Sequence, residues 1–102
     1  MMNGYIAEHR PPEHIRPQLD LGWRHEKQSV YLFEMRPRWN DKSIILHSDF
    51  AKASWVESLK QWNIYWRRAN GNWERYEPLE WTVNLQRFLV EIEKDPYGCF
   101  RG

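Results

Sequence analysis

"QWNIYWRRANGNWERYE", Gln61 to Glu77, is the stretch on which the fold turns. Trp62, Ile64 and Trp66 alternate with Asn63, Tyr65 and Arg67, the period of two that gives a strand one apolar and one polar face. Asn70-Gly71 then supplies the dipeptide that best tolerates positive φ, so a tight reversal is expected there. On the return, Trp73 and Arg75 alternate with Glu74 and Tyr76. The stretch reads as a β-hairpin.

Upstream the same period recurs. Leu19, Leu21 and Trp23 alternate with Asp20, Gly22 and Arg24, "EKQ" at 26–28 makes a short turn, and "SVYLFEM" resumes with β-branched and aromatic residues. Both faces of this second strand are apolar, which suggests a central position. Pro37 has no N–H for a ladder and is expected to end it. Residues 38–48 then read as a polar loop with a small apolar anchor at Ile44 to Leu46, and "DFAKASWVE", 49–57, as a third strand.

Downstream, Pro78 closes the sheet and the period becomes helical. Leu85, Phe88, Leu89 and Ile92 fall at i, i+3, i+4 and i+7, with Thr82 or Asn84 placed to cap the start and Asp95-Pro96 to stop it. At the other end Pro11, Pro12 and Pro17 restrict residues 1–18 to an arm or short helix, such as Glu13 to Arg16. The expected architecture is one α+β domain over residues 1–102. Residues 19–77 form an antiparallel meander of four or five strands, a helix at 82–95 packs on one face, and 96–102 form a tail. The second face must be solvated, covered by the N-terminal arm, or used.

Composition narrows the functions. Fifteen Lys plus Arg against fourteen Asp plus Glu leave a formal charge of +1, so no whole-molecule field draws the chain to nucleic acid or membrane. Any such binding must be local. Seven Trp, five Tyr and four Phe accompany ten arginines, whose planar forks pair with carboxylate or phosphate and stack on rings. Cys99 is the one cysteine, which excludes an intrachain disulfide, suits a reducing compartment, and reads as a packing residue beside Phe100. "MMNGYIAEHRPPEH" has no apolar run of the signal-peptide kind and "SIIL" at 43–46 is far too short to span a bilayer, so a cytoplasmic, soluble protein is expected.

Four stretches, "SVYLFEMRPRW", "WNIYWRR", "RYEPL" and "DPYGCFRG", together resemble the domain-of-unknown-function family 3024, small bacterial proteins of about this length. The resemblance runs from about Pro11 to Gly102 and keeps the order and approximate spacing of all four. It implies no catalytic residues to transfer. Many members carry a second acid where this chain has Met35, and they often begin with a longer helical segment.

Two constellations are candidate ligand sites. Glu34, Arg36, Arg38 and Trp39 gather within six positions at a strand end, where two guanidinium groups and a ring could clamp phosphate or carboxylate. The plainer reading is a structural corner in which Glu34 pairs with an arginine and Trp39 packs on the helix. Tyr65, Arg67, Arg68, Arg75 and Tyr76 interleave basic and aromatic groups along the 61–77 hairpin, as single-strand-binding surfaces do, although Glu74, Glu77 and Glu80 offset the charge.

No catalytic constellation emerges. His9, His14, His25 and His47 are scattered without metal-site spacing, and no cofactor or metal is expected. In "DFAK", Asp49 and Lys52 resemble a nuclease's acid and lysine, but three apart on a strand they point to opposite faces unless a bulge intervenes. The leading expectation is a non-enzymatic binding or protein-interaction module, with a partner protein or a second copy as possible partners. Weak single-stranded nucleic-acid binding through the hairpin comes second and a small hydrolase or nuclease third.

Overall fold

The computed structural model describes residues 2–11, 13 and 19–100. Apart from Glu13, the segment Glu13 to Arg16 expected as a short helix lies outside them. A short helix does form, but ahead of the prolines: α1, Met2–His9.

The strands β1 (Asp20–Glu26), β2 (Ser29–Arg38), β3 (Asp41–Val56), β4 (Gln61–Arg67) and β5 (Trp73–Arg75) form an antiparallel meander in sequence order. A two-residue β6 (Trp81–Thr82) continues beyond β5 along the same side of β4. A 3₁₀ turn, Glu77–Leu79, leads into it, and α2 (Leu85–Lys94) follows. The α+β expectation holds, with the sixth strand added.

The hairpin of β4 and β5 forms where alternation placed it, but its reversal is wider than a two-residue turn. Arg67 pairs with Trp73, residues 68–72 make the loop, and Gly71 alone takes positive φ, at 89°. Gly71 N–H donates to the Arg68 carbonyl at 2.8 Å and Arg68 N–H to the Asn72 carbonyl at 2.8 Å, so the loop satisfies its own backbone.

Pro37 does not end β2. The strand continues to Arg38, and the stretch 41–48 expected as a polar loop is the first half of β3. The physical reason is position. β1 pairs with β2 only as far as Met35, so Pro37 sits where, among the described residues, no strand pairs β2 on that side and a missing N–H is tolerated. The resulting hairpin arm exposes Trp39, 90% accessible at its tip, together with Ile44, Ile45 and Leu46. Trp39 therefore does not pack on the helix.

Among the described residues both helices lie on one side of the sheet. Leu21, Leu32, Ala51, Ala53 and Ile64 line it beneath Phe88, Leu89 and Ile92 of α2 and Met2 and Tyr5 of α1. Ala51 and Ala53 are poor strand formers, yet both are fully buried, and their small side chains let α2 lie close to β3. The α2 stripe is the expected one, and its start is capped by Asn84, whose side chain accepts from Gln86 N–H at 2.8 Å. Thr82 supports the cap, its hydroxyl accepting from Asn84 N–H. Asp95, left-handed at φ 38°, ends the helix before Pro96.

Candidate binding face of the sheet

Register sorts the side chains of the other, helix-free side. Arg24 of β1 lies opposite Tyr31 of β2, Tyr31 opposite Lys52 of β3, Lys52 opposite Tyr65 of β4, and Tyr65 opposite Arg75 of β5. One straight row thus alternates cation, ring, cation, ring, cation across five strands. With strands about 4.8 Å apart it spans roughly 19 Å. Among the described residues no helix covers it.

The groups of this row touch. The Arg24 guanidinium stands 4.2 Å from the Tyr31 ring centre, and Arg75 stands 5.6 Å from that of Tyr65. Lys52 Nζ lies 4.6 Å from the Tyr65 ring, 4.8 Å from Trp73 and 5.8 Å from Tyr31, so three rings surround one ammonium. Trp73, opposite Arg67 on the same face, meets Tyr31 edge to face at 6.0 Å.

Charge balance separates the cations. Arg24 is neutralised: its Nη1 and Nη2 donate to the two carboxylate oxygens of Asp49, at 2.5 and 2.8 Å, which holds the guanidinium above its ordinary pKa. Lys52, Arg67 and Arg75 have no carboxylate partner among the described residues. Half-burial lowers the Lys52 ammonium below its ordinary pKa. Arg75 Nη2 donates to the Glu80 carbonyl at 2.9 Å, while its Nε is buried without a hydrogen bond.

Asp49 reaches this face through a bulge. The register shifts between Leu32 and Phe33, with Leu32 opposite Ala51 and Phe33 opposite Asp49, so Phe50 is the extra residue and turns into the core. Asp49 and Lys52 consequently share a face, the geometry the acid-and-lysine pattern required. Arg24, however, takes both oxygens of that acid. Among the described residues no group of three His, Cys, Asp or Glu could hold a metal ion.

The family model for a domain of unknown function (DUF3024) matches residues 1–102, the whole chain. The chain belongs to this family. No curated protein and no solved structure matches it.

In this DUF3024 chain the candidate residues part company. Tyr65, Arg67 and Arg75 share the open face. Tyr76 is on the opposite one, fully buried, where its hydroxyl donates to Glu91 at 3.0 Å and its ring packs on Phe100. Glu34 and Arg36 also lie on the helix side and pair with each other at 2.9 Å, in a groove shared with Tyr5, His9 and Glu93. Arg38 and Trp39 are on the arm, away from that pair.

The sequence does not single out Arg24, Tyr31, Lys52 and Trp73 together; the two apolar faces of β2 point only to its central position, which the sheet order bears out. Cys99 packs against the core as expected, and burial pushes its thiol pKa up, which disfavours the thiolate. Among the described residues no helix is long and apolar enough to cross a membrane.

Proposed function

We propose that this DUF3024 chain is a non-enzymatic binding module whose helix-free sheet face takes an anionic partner. The observation that carries this reading is the in-register row Arg24, Tyr31, Lys52, Tyr65, Arg75, in which, among the described residues, Arg24 is matched by an acid while Lys52 and Arg75 are not. A cation half-buried against rings gains about 0.5–2 kcal/mol from them and keeps its charge for an incoming anion. Arg67, exposed beside Trp73, extends the positive group. The single cysteine, half-buried and disfavoured as thiolate, suits a cytoplasmic setting.

Binding is favoured over hydrolysis by the state of Asp49. A carboxylate that accepts two hydrogen bonds from Arg24 is committed to the fold and is not a free base beside Lys52. The Glu34–Arg36 pair is likewise satisfied internally, which moves the binding reading from the strand end to the open face.

Retention on immobilised heparin, used as a generic polyanion, tests the reading. The protein should bind and elute with salt, and Lys52→Met and Arg67→Ala should each elute at lower salt. Leu59→Ala, exposed in the turn between β3 and β4 and without change of charge, should elute as the parent does. Absence of retention, or retention indifferent to both cation variants, overturns the assignment.

A further inference from the structure

Resting on the anion-binding reading of the open face, we infer that its ligand is single-stranded nucleic acid, with bases stacked on Tyr65 and Trp73 and phosphates on Lys52, Arg67 and Arg75. Charge alone does not distinguish such a strand from any other polyanion; the rings do. An acidic peptide or a sulfated sugar would draw the cations toward it and leave the rings they uncover without a stacking partner. A nucleic-acid strand offers one anion and one flat ring in every unit, the same alternation the row carries.

Dimensions exclude the neighbouring classes. A row of roughly 19 Å, with three cations on or beside it that have no carboxylate partner among the described residues, is longer than one nucleotide requires. A duplex hides its ring faces inside the stack, so a flat sheet bearing rings has no access to them, and among the described residues no helix or ribbon projects from this face to enter a groove.

In the free protein the ring faces are not vacant: Lys52 lies against Tyr31, Tyr65 and Trp73, Arg24 lies on Tyr31 and Arg75 on Tyr65. Its stem is long and flexible, and its ammonium is a mobile point charge. A phosphate placed above the row draws the ammonium outward, and a base takes its place on the rings. The exchange replaces a cation–ring contact by base stacking, the stronger of the two interactions. Arg24, locked onto Asp49, stays on Tyr31 and limits how far along β1 the strand extends.

The test uses the full chain and its Tyr65→Leu and Lys52→Met variants with four probes: short single strands of DNA and of RNA, abasic strands of the same length, duplex of the same length, and heparin. Base-bearing strands of at least one sugar type should bind more tightly than abasic ones, by roughly five- to 150-fold for each stacked base. The logarithm of affinity should fall with the logarithm of salt at a slope of about −2 for three phosphate contacts. Tyr65→Leu should weaken the base-bearing strand and leave heparin elution unchanged.

If heparin elution depends on Lys52 but abasic and base-bearing strands bind equally, the nucleic-acid inference falls and the anion-binding reading stands. If duplex of the same length binds as well as single strand, the inference falls too. If neither heparin nor any strand binds, both fall.

Discussion

The Tyr76 hydroxyl donates to the buried carboxylate of Glu91 at 3.0 Å, tying the end of the β4–β5 hairpin to α2. Glu91 also accepts from Arg87 Nη1 at 2.8 Å, so the acid is paired within its own helix and anchored to the sheet. Tyr76→Phe removes one hydrogen bond to a charged group and should cost about 1.5–3 kcal/mol in urea unfolding. Burial first, and the Glu91 contact second, raise the phenol above its ordinary value near 10. The folded protein therefore keeps a proton that the unfolded chain loses. The stabilising contribution is complete below pH 10 and declines as pH rises beyond it. Tyr76→Phe should flatten that alkaline decline, and a variant as alkali-sensitive as the parent would assign the decline to another group.

Phe88 lies at the centre of the α2 stripe and is fully buried among residues of both helices and the sheet. Phe88→Ala removes most of a ring and leaves a cavity, at a cost of about 3–5 kcal/mol by denaturant titration. A change within error of zero would mean that this face of α2 does not close the core.

Gly22 of β1 faces Phe33 of β2, and a Cβ at Gly22 would come within 2.7 Å of two Phe33 ring atoms. The ring fills the space a side chain would occupy and stacks on His47 at 4.9 Å. Gly22→Ala should push Phe33 aside and destabilise by about 1–3 kcal/mol. His47 ring protons, shifted by the stack, should move toward free-histidine positions in the NMR spectrum. Unchanged His47 shifts would show that Phe33 does not have to move.

How much of this was legible depended on whether the signal was local. Alternation in Gln61–Arg67, the i, i+3, i+4, i+7 spacing of α2 and its Asn84 cap are set by neighbours in sequence, and they stand as read. Pro37 misled because its cost depends on whether β2 has a partner on that side, which is a property of the sheet. The binding row was hidden for the same reason. Its five members come from five strands, and only register brings Arg24, Tyr31, Lys52, Tyr65 and Arg75 together. The bulge at Phe50, which turns Asp49 toward Lys52, leaves no local mark that parity could use. Tyr76 illustrates the converse: its parity with Glu74 against Trp73 and Arg75 already separated it from Tyr65, while the interleaving of basic and aromatic residues drew them together.

Lys52 allows charge and packing to be separated. Its ammonium sits against three rings without a carboxylate among the described residues, and burial depresses its pKa. The folded state thus binds that proton less readily than the unfolded chain, so its contribution to stability rises as pH climbs through the depressed value toward the ordinary lysine value. Lys52→Met keeps an unbranched stem against the rings and removes the charge. At neutral pH it loses cation–ring attraction and also escapes the desolvation of an ammonium. The two oppose each other, and unfolding free energy should stay within about 1 kcal/mol of the parent. Relative to the parent, the variant should look better at neutral pH than at pH 9–10, because only the parent gains on deprotonation. Equilibrium unfolding at several pH values checks both points. A loss well above 2 kcal/mol at neutral pH would make Lys52 a structural strut of the open face, and a cation so committed would not be free to leave its rings for a phosphate.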